Sequence, residues 1–69
     1  MFKNKIGFWT KKKGIKHNHL ANLCAVSQQT FSSWVKNTTQ PDLKQAAIIA
    51  KVLSVSLDDL IEIEWEDEK

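Results

Sequence analysis

Apolar residues recur at helical spacing along most of the chain, and the breaks between them divide it into five short helical segments. The first is predicted over residues 4–13, with Ile6, Trp9 and Lys13 at helical spacing and Gly14 placed to end it. Gly7 inside that segment costs roughly 1 kcal/mol relative to alanine, which weakens its start. A second segment, 17–24, presents Leu20, Ala21 and Cys24 on one side, and Ala25-Val26 makes the turn after it. Ser27 is a good N-cap for a third, 28–36. There Phe31, Trp34 and Val35 share one face, leaving Gln28, Gln29, Ser32, Ser33 and Lys36 on the other.

After the loop 37–41, a fourth helix is predicted over 43–53, almost wholly apolar in its second half. Ser56-Leu57-Asp58-Asp59 has the form of a capping box opening a fifth. Its two aspartates suit the positive end of a helix dipole. The period then changes. In Ile61-Glu62-Ile63-Glu64-Trp65-Glu66, apolar and acidic residues alternate, which is strand character. The pattern predicts an all-α domain over residues 1–61, followed by an acidic tail, 62–69, that forms a strand or stays disordered.

Composition narrows the class of protein. A chain of 69 residues makes one domain. At 42% hydrophobic it fills a globular core, and two glycines and one proline favour helices over a turn-rich β fold. No apolar run approaches the ~20 residues that cross a membrane, and the N-terminus lacks a signal-peptide stretch. A single cysteine, Cys24, agrees with a reducing compartment, so the expected location is cytoplasmic.

Charge is distributed unevenly. Residues 1–57 hold nine lysines against one acid, Asp42, a balance of +8, whereas residues 58–69 hold seven acids against Lys69, a balance of −6. The basic body fits a polyanionic partner, although a solvated lysine surface has the same composition.

The stretch from His17 to Lys36 carries the strongest signal. A helix-turn-helix unit needs a small residue where its helices cross and another in the turn, and Ala21 and Ala25 stand there. With Val26, Phe31 and Trp34 locking the second helix on the first, Gln28, Gln29, Ser32 and Ser33 become candidate base-reading residues. A glutamine carboxamide sets a donor beside an acceptor and matches adenine N6 and N7 in the major groove, discriminating by ~1–3 kcal/mol. The N-terminal end of a recognition helix is where base edges come within reach. Any one of these residues alone is an ordinary polar surface residue; the set on one helix face is what points to DNA.

This stretch and its surroundings resemble the phage Cro and repressor type of helix-turn-helix family. The resemblance runs from about residue 6 to 60, through Gly14-Ile15, Leu20-Ala21, Val26-Ser27-Gln28, Phe31-Ser32, Trp34, Pro41, Ile49-Ala50, Leu53, Val55-Ser56-Leu57-Asp58 and Leu60. It implies a compact five-helix, repressor-like DNA-binding domain, usually a homodimer, that reads the major groove of double-stranded DNA with its third helix. Lys16 and His17 replace a threonine cap and a glutamine usual in the family, and both remain candidates for phosphate contact. Ala25 replaces the turn glycine. Thr10 and Val35 stand where an arginine and a glutamate often pair; losing both partners leaves no buried charge unmatched.

Phosphate contacts are expected from Lys16, His17, Ser27, Lys36, Asn37 and Thr38, which would fix register without reading sequence. Lys11–Lys13 are expected to form a solvated face. The chain has no arginine, and arginine to guanine is the commonest specific contact, so important A·T pairs are expected in the operator. Ile48 and Val52 lie where the family usually carries polar residues. With Ile63 and Trp65 they are the candidate dimer interface, the tail pairing as a strand between subunits or packing on its own subunit against Phe2 or Phe8. A dimer demands a near-palindromic site.

His17, His19 and Cys24 lack the spacing of a metal site, and no nucleophile, base and orienting group stand together. No metal, cofactor or enzymatic activity is expected. The leading expectation is a transcriptional regulator, most simply a repressor, of phage or mobile-element, toxin–antitoxin or restriction-controller type. The alternative is a helical protein-interaction module of the same fold, with the acidic tail as docking segment for a protein partner.

Overall fold

The computed structural model describes residues 2–64. In chain order the elements are β1 (Phe2–Asn4), α1 (Ile6–Lys13), α2 (His17–Leu23), α3 (Gln28–Val35), α4 (Leu43–Leu53), α5 (Leu57–Leu60) and β2 (Ile61–Ile63). Among the described residues five helices therefore enclose one core, as the apolar spacing predicts, and β1 and β2 form a two-stranded antiparallel sheet beside it.

Helix ends follow from local chemistry. Gly14, at φ 70°, closes α1 in the left-handed conformation, its N–H reaching the carbonyls of Lys11 and Thr10. Ser27 caps α3 by accepting from Thr30 N at 3.1 Å. Ser56 and Asp59 form the expected capping box of α5, with bonds of 3.0 and 3.2 Å. A second box opens α4: Asp42 Oδ1 accepts from Gln45 N at 2.7 Å, and Gln45 Oε1 accepts from Asp42 N at 2.9 Å.

The start of α1 differs from expectation. Asn4 belongs to β1, and its Oδ1 accepts from Ile6 N at 3.0 Å, so the side chain turns strand into helix and α1 opens at Ile6. Gly7 is explained by the packing of α1 on α3, since a Cβ there would stand 3.0 Å from Val35 Cγ1.

Ile6, Leu20, Ala21, Cys24, Phe31, Trp34, Ile49, Ala50, Leu53 and Leu60 form the core, with Trp9, Ile15, Val26 and Val35 packed around it. Each fully buried side chain of the Leu, Ile or Phe size contributes about 1.5–3 kcal/mol. Trp9 also donates its indole N–H to Asp59 O at 2.9 Å, tying α1 to α5. Among the described residues no helix is long and apolar enough to cross a membrane.

The sheet brings the two ends of the described chain together. Phe2 stands opposite Ile63, Lys3 opposite Glu62 and Asn4 opposite Ile61, while Lys5 N donates to Leu60 O at 2.6 Å. The expected tail strand is thus present, and its partner is the N-terminal strand of the same chain. The expected boundary after residue 61 falls inside β2. Trp65 and the rest of the acidic tail lie outside the described residues.

Candidate nucleic-acid interface

The turn between α2 and α3 is built on Ala25, which adopts φ 59°. Ala25 N donates to Asn22 O and Val26 N to Ala21 O, so the backbone makes the sharp reversal that a glycine usually permits. Leu20 and Ala21 are buried where the helices cross. The helix-turn-helix unit therefore keeps its geometry with alanine in the turn, at the cost of a strained residue.

That unit fixes which way α3 faces. Phe31 and Trp34 are buried against the rest of the core, with ring centroids 5.5 Å apart. Gln28 and Gln29 are exposed at the opposite side of the first turn, and Ser32 is half-buried beside them. Ser33 is placed differently: its hydroxyl donates to Thr30 O at 2.7 Å and meets Thr39 Oγ1 at 2.5 Å. Of the four residues expected to read bases, the two glutamines offer open carboxamides, Ser32 flanks them, and Ser33 anchors the loop that follows.

The residues expected at phosphates divide in the same manner. Lys16, Lys36 and Thr38 are exposed, at the start of α2, the end of α3 and the loop beyond it. Ser27 spends its hydroxyl on the cap of α3 and on Thr30 Oγ1. His17 is tethered, with Nε2 3.1 Å from Thr10 Oγ1 and its ring stacked obliquely on Phe31 at 5.3 Å. The Thr10 hydroxyl also donates to Gly7 O at 3.1 Å, so it links the ring to the backbone of α1. The buried Thr10 thus holds the ring from the position where the family often carries an arginine.

Asn37 departs furthest from the expected role. It adopts φ 63°, and its carboxamide turns inward. Oδ1 accepts from Asn4 N at 2.8 Å and from Gln40 Nε2 at 3.0 Å, and Nδ2 donates to Asn4 O at 3.3 Å. The side chain pairs with the backbone of β1 as a neighbouring strand would. Asn4, itself buried, returns the contact by donating to Trp34 O at 2.8 Å and Gln40 Oε1 at 2.6 Å. The contacts of Asn4 with Trp34 and Gln40 had no signal in the sequence, because they join residues thirty or more positions apart. Together they lock the last turn of α3 to β1.

The apolar residues expected at a dimer interface occupy two surfaces. Ile48 and Val52 line a groove of about 490 Å³ on the outer face of α4, with Leu23 and Ala47, flanked by Lys44 and Lys51. Ile63, exposed, stands opposite Phe2 in the sheet. Phe2 and Ile61 border a second groove, about 350 Å³, with Pro41, Leu43, Ala46 and Leu57.

Of the remaining groups, Cys24 is buried beneath α4, its thiol 3.8 Å from Gln45 O. Burial pushes the thiol above its ordinary value, and the Asp42 carboxylate adds to the shift. Lys12 and Lys13, expected to be solvated, are exposed with their ammonium groups over the Phe8 and Trp9 rings at 5.8 and 5.9 Å.

Comparison with known proteins agrees with this geometry. No curated protein sequence matches the chain. The crystal structure of a Bacteroides fragilis protein proposed to bind DNA superposes with a TM-score of 0.84 at 31% sequence identity, over 90% of this chain and all of that one. The model of the bacteriophage CI repressor helix-turn-helix domain matches residues 9–62. Those residues run from α1 through the turn and α3 to β2, and the chain belongs to the bacteriophage CI repressor helix-turn-helix family.

Proposed function

We propose that the protein is a sequence-specific DNA-binding regulator, acting as a repressor, that reads the major groove with α3 as a homodimer. The carrying observation is the pair Gln28 and Gln29, exposed on the first turn of a helix whose other face is locked into the core by Phe31 and Trp34. Two adjacent carboxamides at that end of a recognition helix meet base edges, and each suits an adenine. Lys16, Lys36 and Thr38, all exposed, are the candidate phosphate contacts. Membership of the CI repressor family, and the Bacteroides fragilis structure proposed to bind DNA, favour the same reading.

A homodimer would place two α3 helices about 34 Å apart along the duplex and require a near-palindromic operator. The two exposed apolar grooves supply surface for association. They are also what favours the second reading, a protein-interaction module of the same fold.

Selection of bound duplexes from a random pool separates the two. The expected result is a two-fold site with conserved A·T pairs that a Gln28→Ala/Gln29→Ala variant no longer distinguishes. Weak, sequence-blind binding that is the same in wild type and variant would remove the regulator and leave the interaction module.

A further inference from the structure

The outer face of α4 presents apolar surface between two cations. Ile48 and Val52 are half-buried, Ala47 and Leu23 are exposed, and Lys44 and Lys51 flank them. The lysines are two helical turns apart on one side, about 10 Å along the axis. Packing this face on its own copy across a two-fold axis would bring lysines against lysines while desolvating them, which disfavours that arrangement. The occupant that fits is apolar and acidic together.

The chain carries one such segment. Beyond the last described strand the sequence continues Glu64-Trp65-Glu66-Asp67-Glu68, a single large aromatic followed by three acids. We propose that the α4 groove of one subunit receives Trp65 of a second copy, with Glu66, Asp67 and Glu68 against Lys44 and Lys51. This rests on the homodimer reading above and names its contacts.

Placement favours exchange between copies over a return to the same chain. β2 ends beside Phe2, and Phe2 and Ile61 border the other groove, against Ala46 and Leu43. Ala46 and Ile48, two residues apart, face opposite sides of α4. β2 therefore ends on the side of α4 away from the groove that the following residues complement.

The test uses the full chain. In a sample mixing isotope-labelled with unlabelled protein, filtered cross-relaxation is expected between the Trp65 indole of one copy and Ile48 or Val52 methyls of another. By sedimentation, Trp65→Ser should weaken dimerisation by ~30-fold, the loss expected for a well-buried interfacial tryptophan. Lys44→Glu/Lys51→Glu and Glu66→Lys/Glu68→Lys should each weaken it as well, and combining the two pairs in one chain should restore it, which misfolding would not do. Contacts confined within one chain, a dimer indifferent to Trp65→Ser, or a groove open in the pure dimer and filled only by a foreign protein would each overturn the proposal. Operator selection is scored separately. A dimer held by Trp65 that selects no DNA sinks the DNA reading alone, whereas an operator-bound dimer indifferent to Trp65→Ser sinks this inference alone.

Discussion

Among the described residues three other than glycine hold a positive φ: Ala25 at 59°, Ser54 at 59° and Asn37 at 63°. The left-handed region costs an L-residue with a Cβ about 1–2 kcal/mol, so each is a place where the fold overrides local preference. Only Asn37 recovers the cost through its side chain. Ala25→Gly is accordingly expected to stabilise the protein by about 1 kcal/mol, raising the melting temperature by roughly 4–8 °C in a domain of this size. Thermal unfolding followed by circular dichroism checks it; an unchanged or lower midpoint would show that the turn alanine is unstrained. Cys24 gives a second expectation at this scale. Its thiol is buried and its proton is held more tightly than usual. A disulfide reagent should therefore react far more slowly with the native protein than with the unfolded chain. The sign for stability follows: the neutral thiol's contribution is complete at neutral pH. It is lost only as pH climbs from the ordinary value of 9.0 through the raised one, so stability should fall less steeply with alkaline pH in Cys24→Ala than in the wild type.

At the scale of elements, the hydrophobic pattern made the helices legible because the residues that define them lie three and four apart. Leu43–Leu53 and the Ser56–Asp59 capping box could be read directly from sequence. The Asp42-Leu43-Lys44-Gln45 box was equally local and carries the same signature. β1 was not legible, since three residues are too few to show a period and Asn4 suits the start of a helix as well. The network of Asn4, Asn37 and Gln40 was out of reach for another reason: it joins residues distant in sequence, and each alone looks like polar surface. Its energetic consequence is testable. Asn37→Ala leaves the Asn4 backbone groups unsatisfied at a half-buried site, which should cost about 1–3 kcal/mol in chemical denaturation. The same variant should speed amide exchange at Thr38 and Thr39, whose N–H groups bond Ser33 O at 2.9 and 3.3 Å. A stability loss without faster exchange there would mean that Asn37 supports the strand and not the loop.

For the whole molecule, the outward face of α3 was legible to the extent that burial decides it. Fixing Phe31 and Trp34 inside puts Gln28 and Gln29 outside, and sequence spacing alone conveys that. Which hydroxyls and amides remain open for a ligand is a question of partners, and Ser27, Ser33 and Asn37 have theirs within the fold. The phosphate contacts are therefore expected to come chiefly from Lys16 and Lys36. Replacing either with glutamine should lower affinity evenly across DNA sequences and reduce the slope of log affinity against log salt by about 1, as measured by anisotropy titration. The Gln28→Ala/Gln29→Ala variant should leave that slope unchanged. A slope insensitive to both lysines would place the DNA backbone elsewhere on the surface.

The pairing of β1 with β2 also bears on how the protein is made. Synthesis delivers β1 first and β2 some sixty positions later, so Asn4 and its strand wait without a partner until β2 has been made. The helix-turn-helix can collapse meanwhile from contacts within residues 6–53, since its core helices are all in hand. The sheet that seats Asn4 against Asn37 and the end of α3 closes only when Ile61–Ile63 has left the exit tunnel. A nascent chain stalled before that point would carry α3 without its final brace, so the emergence of β2 is the step that seats the end of that helix.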